Sequence, residues 1–258
     1  MPKFCANLTM LFNEVDFLSK FEKAKQAGFT GVEYLFPYAY DKNQLADLLK
    51  ENQLTQVLHN LPAGDWASGD RGIAIFPQRV NEFQEGVEKA IEYATALNCK
   101  QVNVLSGIAK ESSQQAVHHE TLVNNLKYAA KKLKEVGIKL LIEPINTFDM
   151  PGFFVNHTNQ ALELIKEVGS DNLFVQYDVY HMQRMEGELT QTIKNNLAQI
   201  AHIQIADNPG RHEPGTGEIN YPFLFKSLDE MGYSGWVGAE YNPANTTEEG
   251  LGWFKATR

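Results

Sequence analysis

Four polar residues stand where a polar side chain is costly: Glu143 in LLIEPI, Asp178 in VQYDVYH, Gln204 in HIQIAD and Glu240 in VGAEY. Each interrupts an otherwise apolar run. A buried carboxylate needs a cation or strong hydrogen-bond donors, because leaving water without them is expensive. Three carboxylates converging without a cation would repel one another and raise their pKa values. A divalent metal resolves that conflict. Three carboxylates and one amide oxygen form an all-oxygen set, which suits Mg2+ or Mn2+ better than an ion preferring thiolate or imidazole. The competing reading is four unrelated polar residues in ordinary hydrogen bonds or ion pairs.

Further candidates surround these four. Asn7, Glu33 and His59 end other short apolar runs. His181 lies three residues beyond Asp178, and His212 follows the run of Gln204. Each is a candidate for binding substrate hydroxyls or orienting a ligand, and each is equally compatible with a structural role. Two segments rich in Gly and Pro, 61–76 and 207–221, have the composition of functional loops. Arg71 and Arg211 within them are candidate clamps for an anionic substrate, Trp66 is a candidate lid, and Glu213 a candidate contact. Glu218 is expected to cap or pair locally. His118 and His119, early in a helical stretch, are expected to be solvated.

The elements that must position these residues are visible as alternating periodicities. Eight short, nearly continuous apolar runs, at 3–8, 30–36, 54–60, 100–106, 138–145, 172–180, 201–207 and 235–241, predict strands covered on both faces. Helical stripes lie between them. Residues 14–27 carry Val15, Leu18, Phe21 and Ala24, stopped by Gly28; residues 79–97 carry Phe83, Val87, Ala90 and Ala94. Residues 115–136 carry Val117, Leu122, Leu126, Ala129 and Leu133. Residues 158–168 open on Thr158 as the expected N-cap. This alternation predicts a closed (β/α)8 TIM barrel spanning 1–258 as one unit, with a doubly wound sheet as the alternative. No GxGxxG follows the first strand and no GxxxxGK[ST] occurs, so nucleotide-phosphate loops are not signalled. In a barrel, functional side chains sit at the C-terminal strand ends, where the four residues above fall.

Composition narrows the function classes. The chain has 258 residues, a net charge of −9, and 15 Phe, 10 Tyr and 3 Trp, enough to pack a large core. The acidic balance argues against a nucleic-acid partner held by phosphate contacts. It admits a small anionic substrate only if local cations overcome the global field. Cys5 and Cys99 show neither metal spacing nor a disulfide framework, so they read as reduced, buried thiols. The N-terminus is a poor signal peptide and no apolar run approaches a membrane span, so a cytoplasmic protein is expected. A homo-oligomer is compatible with this reading.

The strings FCANLTMLF, GVEYLFPY, VLHNLPAGDWASGDRGIA, LLIEPIN, VQYDVYHMQRMEGELT, HIQIADNPGRHEPGTGEINY and WVGAEY together resemble the hydroxypyruvate isomerase family, within the xylose-isomerase-like barrels. The resemblance runs the whole length of the chain. It implies a (β/α)8 barrel, a divalent metal and a pair of acid–base glutamates. Carried over by motif, those glutamates are Glu143 and Glu240, with Asp178 and Gln204 as the remaining metal ligands. It also implies a small hydroxy-oxo acid as substrate: hydroxypyruvate, interconverted with 2-hydroxy-3-oxopropanoate, or a four-carbon 2-oxo-tetronate. Three other readings stand beside this one: a sugar epimerase on the same scaffold, a metal-dependent endonuclease, and a non-catalytic sugar-acid binding protein.

Overall fold

The computed structural model describes residues 2–109 and 114–257. Eight parallel strands close into a barrel in sequence order: β1 Lys3–Asn7, β2 Gly31–Glu33, β3 Thr55–Asn60, β4 Gln101–Val104, β5 Lys139–Ile142, β6 Leu173–Asp178, β7 Ile200–Ile205 and β8 Trp236–Ala239. Closure is made by β1 against β8, pairing Cys5 with Gly238 and Ala6 with Ala239. The doubly wound alternative is excluded. The helices are α1 Lys20–Ala27, α2 Lys42–Glu51, α3 Val80–Ala96, α4 Gln115–Glu135, α5 Thr158–Val168, α6 Val179–Met185, α7 Leu189–Asn195, α8 Tyr221–Glu230 and α9 Gly252–Lys255. Among the described residues, no helix is long and apolar enough to cross a membrane.

All eight strands lie inside their predicted runs or within a residue of them, and most are shorter. One difference is instructive. The run 172–180 continues as apolar sequence through Val179 and Tyr180, but the strand stops at Asp178. Its carboxylate Oδ1 accepts from the backbone N–H groups of Tyr180 (2.8 Å) and His181 (3.4 Å) and so starts α6. Asp178 is thus both strand end and helix cap, and it aims His181 back at the barrel mouth.

Three helical expectations are corrected. The stretch 14–27 becomes helical only after Asp16, which caps a 3-10 turn at Phe17–Ser19 leading into α1. The N-cap of α5 is His157, whose side chain and Gln160 satisfy each other's backbone N–H groups; Thr158 is the first helical residue. On α4, Val117 is 48% exposed, while His118 is 3% exposed and packs edge-on to Phe76 and Phe154. His118 lies four residues before Leu122, so the helical period itself puts it on the buried stripe. His119 is solvent-facing and pairs with Glu167 at 2.7 Å.

Two layers of packing result. Between barrel and helices lies the main core. A smaller, separate cluster of Cys5, Val57, Leu58 and Leu141 lies beneath the cavity, with Leu58 reaching its lining. Cys5 and Cys99 are both free and buried. Above that cluster the barrel interior turns polar, and Gly238 makes room for this. A Cβ at position 238 would stand 2.4–2.6 Å from the Glu33 carboxyl atoms. Gly238→Ala is therefore expected to destabilise the chain by about 1–3 kcal/mol through overpacking. Urea denaturation checks this; an unchanged midpoint would contradict the packing described.

Candidate active site

The barrel opens at the C-terminal strand ends into a cavity of about 210 Å³. Asn7, Glu33, Asn60, Glu143, Gln176, Gln204 and Glu240 form its polar floor, with His181 and Arg211 beside them. Met10, Leu35, Trp66, Leu105, Ile145 and Met150 form an apolar wall. Pockets for drug-sized ligands run to roughly 300–1,000 Å³, so this one suits a smaller molecule.

Among the described residues, Glu143, Asp178, His181 and Glu240 each bring one atom into a cluster whose members lie within 4.8 Å of one another. Burial, then the charges of Glu240 and Asp178, push the Glu143 carboxyl well above the usual carboxylate range against the pull of Arg211. Burial likewise raises Glu240, to about 8; Arg211 opposes this, and Asp178 and Glu33 add to it. Asn103 Nδ2 donates to Glu143 Oε2 (3.0 Å), and Asn7 Nδ2 donates to Glu240 Oε1 (3.0 Å). Burial pulls His181 down to about 4, Asp178 opposing, so the ring is neutral at pH 7.

Glu33 lies deeper and is fully partnered. Its carboxylate faces His202 Nε2 (2.7 Å) and accepts from Gln204 Nε2 (2.8 Å), Asn7 Nδ2 (3.0 Å) and the Cys5 thiol (3.3 Å). Burial alone would raise its pKa, but His202 and these bonds outweigh that and hold it below the ordinary value. Glu33 in turn orients Gln204. With its amide nitrogen committed to Glu33, Gln204 Oε1 faces Gln176, whose Nε2 donates to it at 2.6 Å.

Arg211 is the cation of the site. Its Nη2 donates to Glu240 Oε2 (2.8 Å) and lies 3.7 Å from Asp178 Oδ2, and the guanidinium stacks 5.2 Å from the Tyr180 ring. The loop 207–221 delivers it. The buried Asp207 carboxylate accepts from the backbone N–H groups of Asn208, Gly215 and Ile219, folding the loop onto itself. Arg211 has φ 56°, a left-handed conformation that costs a side-chain-bearing residue about 1–2 kcal/mol. The Asn242 N–H to Arg211 C=O bond (2.8 Å) helps hold it there.

The structure brings Glu143, Asp178, Gln204, Glu240, His181 and Arg211 together and leaves four candidates outside. His59 alternates with Leu58 and Asn60, which line the cavity, so its ring faces the opposite side and meets Tyr38 Oη at 3.3 Å. Arg71 does not enter the cavity. Its Nη1 donates to the carbonyls of Trp66 (3.0 Å) and Asp70 (2.7 Å), and its guanidinium stacks 4.0 Å from the Trp66 ring, which does line the cavity. His212 braces the loop through Nδ1 and the Asn242 carbonyl (2.7 Å). Glu213 accepts from the Ala244 N–H (3.0 Å) instead of facing a substrate. Glu218 pairs locally with Asn208 and Gln183, as expected.

Sequence reasoning passed over Gln176, His202, Asn60, Asn103 and Asn146. Gln176 and His202 stand two residues before Asp178 and Gln204, so strand alternation alone places them on the same face. Asn60 and Asn103 share that signal less clearly, and nothing in the spacing marks Asn146.

The cluster has the chemistry of a cation site. Asp178 Oδ2 is buried with no hydrogen-bond partner among the described residues, although His181 Nε2 (3.6 Å) and Arg211 Nη2 (3.7 Å) stand near it. An unpartnered carboxylate oxygen amid two further raised-pKa carboxylates fits a hard divalent cation. In the second potential ligand group, the Cys5 thiol and His202 Nε2 are both engaged with Glu33 Oε2.

Residues 21–257 match the family described as xylose isomerase-like TIM barrel. The chain is 57% identical over 258 residues to hydroxypyruvate isomerase of Escherichia coli, covering 100% of both chains. It is 46% identical over 253 residues to 2-oxo-tetronate isomerase of Pectobacterium atrosepticum, covering 98% of this chain and 97% of that protein. A solved structure from Brucella melitensis described as AP endonuclease, family 2, superposes with a TM-score of 0.97 at 49% identity, covering 100% of both chains.

A carboxyl with a raised folded pKa binds its proton more tightly folded than unfolded. Its stabilisation is present below the ordinary value of 4.5 and is lost as the pH climbs through about 8. Protein stripped of divalent ions is therefore expected to unfold at progressively lower urea concentration as the pH rises across that window. Glu240→Gln should flatten the slope; equal slopes in the two proteins would contradict the electrostatics described.

Proposed function

Because the chain belongs to the hydroxypyruvate isomerase family of xylose isomerase-like TIM barrels and is an isomerase, we propose that it shifts the carbonyl of a small hydroxy-oxo acid between adjacent carbons. The substrate is hydroxypyruvate or a four-carbon 2-oxo-tetronate. The observation that carries this reading is the pair Glu143 and Glu240, both with raised pKa values, each one residue beyond the end of its strand (β5 and β8) in a small cavity at the barrel mouth.

For hydroxypyruvate the change runs from HOCH2–CO–COO⁻ to OHC–CHOH–COO⁻. The C3–H bond breaks and its proton goes to one glutamate. The electron pair becomes the C2=C3 bond of an enediolate. The other glutamate delivers a proton to C2, and the hydroxyl proton passes to the neighbouring oxygen. Raised pKa values suit both tasks, since a carboxyl poised near neutral pH can take and return a proton. Asn103 and Asn7 hold the two carboxylates in place through the bonds given above, and the apolar wall excludes water. Arg211 supplies the positive charge that an anionic substrate needs in an acidic protein.

Glu143, Asp178, Glu240 and the Gln204 amide oxygen would hold a divalent cation, Mg2+ or Mn2+. When bound, such an ion supplies Lewis-acid stabilisation to the developing enediolate oxygens. Its charge also lowers the two glutamate pKa values, so burial and repulsion are needed to keep them basic enough for proton transfer.

An endonuclease reading finds less support. Among the described residues Arg211 is the sole Lys or Arg lining the cavity, the net charge is −9, and the volume admits no nucleotide chain. A reading as an epimerase predicts inversion at one carbon with the carbonyl unmoved. Proton NMR of hydroxypyruvate and of each 2-oxo-tetronate enantiomer after incubation separates the readings. Carbonyl migration is expected, and inversion without migration would overturn the proposal. Glu143→Gln and Glu240→Gln are each expected to lower kcat by about 10²–10⁴-fold; activity within threefold of the parent, about 0.7 kcal/mol of barrier, would rule out the pair. Arg211→Met should raise KM by roughly tenfold or more, for a lost charge-assisted bond of about 1.5–3 kcal/mol. A normal KM would remove Arg211 as the anchor.

A further inference from the structure

The fully buried side chain of Asn146 lies in the turn after β5, three residues beyond Glu143. Its orientation is decided by its neighbours. One end accepts from the backbone N–H groups of Phe148 (3.1 Å) and Asp149 (2.9 Å). A backbone N–H can only donate, so that end is the amide oxygen. The other end meets Asp149 Oδ2 at 3.1 Å, and a carboxylate oxygen in this pair accepts. Asp149 is held in turn by the Tyr180 hydroxyl (2.8 Å) and by Arg184. Both ends therefore agree that Nδ2 is the nitrogen.

That same Nδ2 stands 2.6 Å from His181 Nδ1. An amide NH2 carries donors and no usable lone pair, so His181 Nδ1 must accept and carries no proton. The imidazole proton then sits on Nε2, which faces Asp178 Oδ2 (3.6 Å) and Glu143 Oε1 (4.0 Å). A protonated ring nitrogen has no lone pair for a metal ion.

We propose that Asn146 is a positioning residue that holds His181 as the Nε2–H tautomer. This turns the His181 Nε2–H toward the carboxylate cluster, 3.6 Å from its nearest oxygen, and bars the ring from the ligand set, although its distance alone would admit it. The tautomer follows from the hydrogen bonds of Asn146. The exclusion from the ligand set rests on the proposed cation at Glu143, Asp178 and Glu240.

The test is ¹⁵N NMR of the histidine rings in the full chain, freed of divalent ions and then with Mg2+ added. His181 is assigned by the signal lost in His181→Ala. The expected parent spectrum shows His181 protonated at Nε2 and bare at Nδ1, in both conditions. Asn146→Asp replaces the donor by an acceptor and is expected to put a proton on Nδ1. A parent ring protonated at Nδ1, or at both nitrogens, overturns the proposal, and the parent spectrum decides even if the Asp variant does not fold. Mn2+ titration separates the two claims. If His181 is no ligand, His181→Ala should bind Mn2+ within about threefold of the parent, and a loss beyond tenfold overturns the exclusion. A parent that binds no Mn2+ defeats the cation reading while the NMR result still decides the tautomer.

Discussion

Glu143, Asp178 and Glu240 lie buried together at the mouth of the barrel, with the Arg211 guanidinium against two of them. Two unit charges about 4 Å apart repel by about 4 kcal/mol at an effective dielectric of about 20. Three ionised carboxylates against one guanidinium would leave two negative charges over, which the proposed divalent cation would balance. Glu33 shows the contrasting solution one layer deeper. It has His202 and three further donors, its pKa falls below the ordinary value, and it needs no ion. The difference between these layers separates scaffold from reactive site.

The parallel barrel makes this convergence inexpensive. Every strand points alternate side chains inward, so one residue near each C-terminal end reaches the axis without a loop having to be ordered for it. The layer below supports the layer above: Glu33 holds Asn7 and Gln204, and Asn7 holds Glu240. Asp178 adds a second economy. One of its oxygens caps α6 and swings His181 into the mouth, while the other stays directed at the cluster. Arg211 comes from a long loop, and that loop carries the backbone strain and the bonds from Asp207 that stabilise it.

Much of this was legible in the sequence. The eight apolar runs marked the strands; of the polar residues breaking them, Glu143, Gln204 and Glu240 line the cavity and Asp178 joins Glu143 and Glu240 in the carboxylate cluster. Strand ends were harder, because Val179 and Tyr180 are as apolar as strand residues and only the capping carboxylate before them stops the strand. His59 was misplaced by one position: it lies beside the inward-facing Asn60, and in a strand one position reverses the face. Arg71 and Arg211 look alike in sequence, each in a Gly-rich loop. Which reaches the cavity depends on contacts made in the folded chain, the Trp66 ring within the same loop in one case and the distant Glu240 in the other. Asn146 was invisible because its importance lies in the neighbours that orient it, and those are brought together only by folding.

The claim on which this account depends is that the buried carboxylates hold a divalent cation. Equilibrium dialysis of chelator-treated protein against Mn2+ tests it directly, with Asp178→Asn as the control. The account predicts one ion bound per chain in the parent and affinity reduced by at least tenfold in the variant. No binding to the folded parent, or equal affinity in the two proteins, would contradict it.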